Sequence, residues 1–352
     1  MTQEIPPFLF LADARDSWDA WRWALAVSRA LEKRGGRGTL VITGTTEVPA
    51  PARSAHVFAQ DHVTDSLVGW VVQRALVDKV AGRIGVLHVF GCGLSQAGAA
   101  MARKIGCRYF ASVFRYGPSL EDFRVDQETC AGVIAEDEKL AARLRRQLGG
   151  AVPVLTLPLS SPKAGDSRPG ERDVPALAAF GRWQRPYGMS RLVEASARLR
   201  DAGLAFQVFL QGSGRGEEEV RRLVATAGLT GATTFVDEQI ESERVIEGAD
   251  VVVLAGDKRG ATLPVVSSML AGKTVVVSDT EGMEDIVELR KGLLIAEKDA
   301  ASVAEQIASA AGDPQRRRAI GAAAVEAALA ARPFERSIEQ LAAAYAGQVP
   351  TK

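Results

Sequence analysis

Short apolar runs alternate with amphipathic stretches from one end of the 352-residue chain to the other. This rhythm restricts the fold more than any other feature, because a strand buried on both faces needs near-continuous apolar sequence and a helical crossover to its parallel neighbour. The runs at 8–12, 39–43, 56–59, 85–90, 109–113, 132–135 and 152–157 read as strands, with helical patterns at 19–33, 65–79, 95–104 and 136–148. A second set follows, with strands at 176–180, 207–211, 233–236, 251–255, 274–278 and 293–295. Its helices fall at 190–201, 217–227, 241–247, 265–271, 300–311 and 315–330. The pattern is that of an α/β protein with two doubly wound parallel sheets.

Residues 160–173, rich in Pro, Gly, Ser and charge, read as the linker between the two sets. A last helix, 334–346, follows Pro333 with no strand after it, and its Ile338, Leu341 and Tyr345 share a side that needs a surface to cover. The chain is expected to divide into domains 1–160 and 174–332 and a terminal helix 333–352 crossing back to the first domain; the length allows two domains of roughly 150 residues. Trp18 and Trp21 share one side of the first helix, as core or as an aromatic platform for an acceptor, while Trp23 points to another side.

Composition excludes several classes. With 47% hydrophobic and 24% charged residues the chain is globular rather than disordered. Lys plus Arg (43) equals Asp plus Glu (43), so no global field draws it to nucleic acid or an anionic membrane. Arg143, Arg145 and Arg146 form a local basic run on one helix, too short to establish more than peripheral membrane contact. Cys92, Cys107 and Cys130 fit neither a disulfide framework nor a metal site. The first residues lack a positive segment before their short apolar run, and no apolar stretch reaches the ~18 residues of a membrane span. A cytoplasmic setting is expected, with at most a peripheral place at the inner membrane face.

The second set carries an ordered series of motifs. Phe180-Gly-Arg182-Trp-Gln-Arg185-Pro-Tyr187-Gly188 comes first, then Leu210-Gln-Gly212-Ser-Gly214 and Ala249-Asp250-Val-Val-Val-Leu254. Met269-Leu-Ala271-Gly272-Lys273-Thr-Val-Val-Val-Ser278 and Gly282-Met-Glu-Asp285 follow. In the first set, Leu87-His88-Val-Phe90-Gly91 ends a strand. In order and approximate spacing the series resembles the family 4 (group 1) glycosyltransferases, with degenerate donor-site motifs. The resemblance implies the GT-B fold, two Rossmann-like domains facing across a cleft. It also implies transfer of a sugar from a nucleotide diphosphate-sugar, without a metal ion, to a carbohydrate, lipid-linked or small-molecule acceptor. A partner glycosyltransferase is compatible with it, and nucleic acid is not.

Charge that builds on the departing diphosphate must be met by cations and backbone N–H groups. The resemblance assigns this task to Arg182, with Tyr187 standing where the family has a lysine and Arg185 as a nearby substitute. Alignment on Ala271-Gly272-Lys273 puts Arg259 and Ser267 where the family has two glutamates, for the donor sugar and the ribose. Arg259, Gly260 and Thr262 precede a helix whose N-terminus still suits an anion. Gly212 and Gly214 suit close approach of backbone to a nucleotide, yet Glu217 stands where a dinucleotide fingerprint needs its third glycine, which removes support for hydride transfer. His88 is the one histidine at a family-like position, a catalytic candidate weighed against a buried structural role. Two functions remain open: a retaining nucleotide-sugar transferase, or an inactive relative kept as a binding scaffold. An epimerase or phosphorylase on the same architecture has weaker support.

Overall fold

The computed structural model describes residues 4–14, 19–45, 47–49, 52–54, 56–65, 67–80, 84–114, 120–162, 174–183, 187–254, 262–278, 292–297 and 299–347. The chain forms two compact units. The first comprises residues up to Leu159 together with the chain from Glu335 onward; the second runs from Ser160 to Phe334.

In the first unit seven parallel strands run β1 Phe8–Asp13, β2 Gly38–Thr43, β3 Val57–Ala59, β4 Val86–Phe90, β5 Arg108–Val113, β6 Cys130–Ala135 and β7 Val154–Thr156. Their order in the sheet is β3-β2-β1-β4-β5-β6-β7. The helices are α1 Ala20–Lys33, α2 Gly69–Val80, α3 Ser95–Ile105 and α4 Glu138–Gln147. Strand alternation gives the sheet two different faces. One is aliphatic, with Leu9, Leu11, Leu87, Val89, Tyr109, Ala111 and Val133 packed into a continuous core. The other is aromatic: Phe10 meets Phe8 at 4.5 Å and Phe90 at 5.0 Å between ring centroids.

In the second unit six parallel strands run β8 Ala176–Arg182, β9 Gln207–Ser213, β10 Thr233–Val236, β11 Val251–Leu254, β12 Thr274–Ser278 and β13 Leu293–Ala296, in the order β10-β9-β8-β11-β12-β13. Helices α5 Tyr187–Asp201, α6 Glu217–Thr226, α7 Ser242–Gly248, α8 Thr262–Leu270, α9 Ala300–Ala311 and α10 Pro314–Ala331 belong to it, and α11 Phe334–Tyr345 follows. Aspartates start several of these helices. Asp137, Asp299 and Asp313 accept backbone N–H bonds from the first turns of α4, α9 and α10, and Pro314 opens α10 where no N–H is needed.

The sequence places helix 65–79 too early. Asp65 Oδ1 accepts the N–H groups of Leu67 (2.7 Å) and Val68 (3.1 Å), making a turn that delays α2 to Gly69. Strand 152–157 shortens to Val154–Thr156, and α8 begins at Thr262 rather than 265 because Pro264 is tolerated in a first turn. Trp23 lies in the core, edge-on to Phe90 and Phe114, and Trp21 is also buried. Helix α1 buries residues on a broad arc, so three-residue spacing did not identify its inner side. Trp18 lies outside the described residues.

One polar clamp registers the second sheet. Asp250, almost fully buried just before β11, accepts the Ala176 N–H with Oδ2 at 2.8 Å, and its own N–H donates to the Ala176 carbonyl at 2.8 Å. Replacing it leaves a buried N–H without an acceptor. Asp250→Ala is expected to lower unfolding free energy by about 1–3 kcal/mol in urea titration, and Asp250→Asn by less; an unchanged midpoint in Asp250→Ala contradicts the clamp.

Candidate functional site

The second sheet reverses its winding between β8 and β11, and open α/β sheets bind ligands at the carboxyl ends of the strands flanking such a switch. Arg182 is the last residue of β8, at that end, in register with Ser213 of β9. Thr262, half-buried, opens α8 after β11, and Ser267 is buried in the helix's second turn. Arg185, Arg259 and Gly260 lie outside the described residues, as does the 282–285 motif.

Helices α5, α6 and α8 follow β8 and the strands on either side of it and start at the same end of the sheet, and charge distinguishes them. The first turn of α6 holds Glu217, Glu218 and Glu219, which repel an anion from the positive end of the helix dipole. The first turns of α5 and α8 contain no acidic residue. A phosphate therefore suits α8 or α5, and the Gly212–Gly216 loop leading into α6 is the poorer cradle.

The glycines of that loop have another reason to be there. A Cβ on Gly212 would stand 2.1 Å from the Gly181 carbonyl oxygen and 2.8 Å from the Trp183 ring. On Gly214, whose φ of +146° itself disfavours a side chain, a Cβ would stand 2.6 Å from the Trp183 carbonyl oxygen. That carbonyl also accepts the Gly216 N–H at 2.6 Å. Close approach is real, but its partner is the end of β8. Trp183, which sequence reasoning passed over, is the hub: its ring is buried, edge-on to Phe235 at 5.8 Å, and its Nε1 has no hydrogen-bond partner among the described residues. Only its place beside Arg182 signalled it.

Two other motif residues are structural. Asp250 clamps the amino end of the sheet, opposite the switch. Lys273 is fully buried, and its Nζ donates to the Glu247 carbonyl at 3.0 Å, meeting the negative end of α7.

His88, a catalytic candidate on the resemblance, is enclosed in the first unit. It is 0% exposed, its ring stacks on Phe90 at 4.1 Å, and both nitrogens are engaged: Nδ1 with the Tyr345 hydroxyl at 2.5 Å and Nε2 with Ser112 Oγ at 2.9 Å. Burial lowers its pKa to about 3 and raises that of Tyr345 well above the ordinary phenol value, so both groups are neutral at physiological pH. Arranged so, His88 offers a substrate no nitrogen. It ties α11 to the aromatic face, where Tyr345 also meets Phe110 at 5.3 Å.

Among the described residues no group of three or more His, Cys, Asp or Glu side chains is placed to hold a metal ion, and no helix is long and apolar enough to cross a membrane. The three cysteines are free. Of the basic run, Arg145 is engaged with Glu138 and with the Val154 carbonyl.

Residues 168–327 match the family model of glycosyl transferases group 1. The chain is 26% identical over 201 residues, 52% of each sequence, to a 2-deoxystreptamine glucosyltransferase of Streptomyces kanamyceticus. It is 29% identical over 168 residues to a D-inositol 3-phosphate glycosyltransferase of Nocardia farcinica, covering 45% of this chain and 36% of that one. The chain thus spans about half or less of the length of the curated relatives it matches. Among solved structures, Anabaena HepE in complex with UDP and glucose superimposes with a TM-score of 0.74 at 14% identity, covering 96% of this chain and 98% of that one. Sucrose-phosphate synthase from Thermosynechococcus elongatus gives 0.71 at 18% identity, covering 96% and 97%. The fold is that of the GT-B glycosyltransferases.

The depressed pKa of His88 has a measurable consequence. Between pH 6.5 and about 3 the unfolded chain takes up a proton that the folded chain refuses, so His88 contributes stability above pH 6.5 that is lost as pH falls through this window. Denaturation between pH 7 and pH 4.5 is expected to show a contribution of up to ~1.4 kcal/mol per pH unit that disappears in His88→Phe. An unchanged slope in that variant contradicts the assignment.

Proposed function

We propose that this chain, whose second unit carries the group 1 glycosyltransferase match, moves a sugar from a nucleoside diphosphate-sugar to an acceptor hydroxyl with retention of anomeric configuration. The reading is carried by one observation: Arg182 ends the strand beside the winding switch, and α8 opens at the same sheet end with no acidic residue in its first turn. A guanidinium and a helix N-terminus are the groups that stabilise charge growing on a departing diphosphate. Arg185 and Arg259 add positive charge in the adjoining sequence, Gly260 and Thr262 lead into the helix, and Gly212 and Gly214 let the neighbouring loop lie flat against β8. Such a site needs no metal ion. The acceptor is a carbohydrate, a lipid-linked glycan or a small polyol, and the work is done in the cytoplasm, in solution or at the inner membrane face.

Ser267 favours a second reading. The resemblance expects a carboxylate there for the ribose, and a buried serine offers one hydroxyl instead. In this reading the fold binds a nucleotide or a partner glycosyltransferase without catalysing transfer.

Thermal unfolding with UDP, GDP and UDP-glucose tests both, since a ligand of the folded state raises the midpoint. A nucleotide is expected to raise it, and Arg182→Ala to weaken that nucleotide by about tenfold or more, the scale of a lost charge-assisted contact. Release of glucose from UDP-glucose supports transfer, and binding without turnover supports the scaffold. No shift with any nucleotide overturns both.

A further inference from the structure

Exposed apolar surface is concentrated at the start of α2. Leu67 is 81% exposed and Trp70 62%, and Val68 and Val71 are exposed beside them. Among the described residues the other large exposed apolar side chains stand singly along the chain. Single ones need no explanation, whereas a contiguous cluster marks an interaction surface.

The helix does not need these four residues to dock on its own unit. Its inner side, with Leu76, Val77 and part of Val72, already packs into the aliphatic core. The turn before the helix holds the outer residues in place: Asp65 Oδ1 accepts the Leu67 and Val68 N–H groups, and the Asp65 carbonyl accepts that of Gly69 at 3.0 Å. Gln73 Nε2 donates to the Val63 carbonyl at 2.9 Å and ties this turn to the helix. A surface fixed beforehand needs little ordering on binding.

Charge and size decide what covers it. Asp61, Asp65 and Asp78 outnumber Arg74 and Lys79 in the surrounding sequence, so an anionic lipid surface is disfavoured, and α2 lacks the basic polar side of an interfacial helix. At these exposures the four side chains offer on the order of 400 Å² of apolar surface, about half of the roughly 800 Å² that each partner of a stable complex buries, which is the usual apolar share. The polar remainder is at hand. Arg74 and Asp78, both exposed, continue the side of α2 that Trp70 and Val71 occupy, with Nε and Oδ2 3.8 Å apart. A second α2 laid parallel would set arginine on arginine and aspartate on aspartate. Laid antiparallel about a two-fold axis at Trp70 and Val71, it joins the two apolar clusters at the centre and carries each Arg74 towards the partner's Asp65, opposite charges at the rim.

We propose that the start of α2 is a self-association surface, on which a second copy of this chain seats antiparallel about a two-fold axis with both Trp70 side chains at the centre. The pairing does not depend on the transferase reading.

Sedimentation equilibrium of the whole chain over a concentration series tests it. The mass is expected to rise from 37.4 kDa towards twice that value. Trp70→Ala is expected to raise the dissociation constant about a hundredfold, tenfold for the indole lost from each copy. Leu67→Glu sets like charges across the axis and is expected to leave only monomer, and both variants keep the unfolding midpoint of the monomeric chain. Val71→Cys brings two thiols to the axis and is expected to give a dimer with a short bismaleimide, a product that adding Leu67→Glu abolishes. A chain that stays monomeric at every concentration overturns the proposal, whether or not it sediments with phosphatidylglycerol vesicles. So does a dimer that survives both Trp70→Ala and Leu67→Glu, or one that Val71→Cys fails to crosslink.

Discussion

An all-parallel sheet buries both faces, and that constraint organises everything else in this protein. Each strand must be followed by a crossover that returns to the same edge, and covering both faces forces the winding to reverse once. In the second unit the reversal falls between β8 and β11. The last residue of β8 and the first of α8 therefore lie at the carboxyl end of the sheet, beside that switch. Arg182 owes its position to this constraint rather than to any local feature of its loop.

The same constraint explains why so much of the fold was legible in the sequence. Continuous apolar runs such as Val251–Leu254 and Thr274–Ser278 have no other use than a doubly covered strand. The motif series was readable for a related reason, since several of its members hold the scaffold. Asp250 clamps two strands, Lys273 meets the end of a helix, and Gly212 makes room for Trp183. These residues identify an architecture while saying little about what it binds.

What sequence could not supply was direction and enclosure. The aspartate that delays α2 looks in sequence like any first-turn acid. His88 sits at a strand end, where an exposed catalytic group and a buried one read alike; only the return of Tyr345, 257 residues later, decides between them. The proposed donor site rests on position and not on residue chemistry, because the residues at 259 and 267 depart from the resembling family. The glutamates of α6, visible as a plain charge run, acquire meaning only when α5, α6 and α8 are seen to start at one end of one sheet.

Helix α11 bears on how the molecule is made. The aromatic face of the first sheet, including Phe10, His88 and Phe110, is completed by Tyr345, which is synthesised only after the whole second unit. During translation the early half must therefore wait, collapsed but uncovered on one side, until the last helix emerges. A product ending before Phe334 would lack Tyr345 and leave that aromatic surface bare.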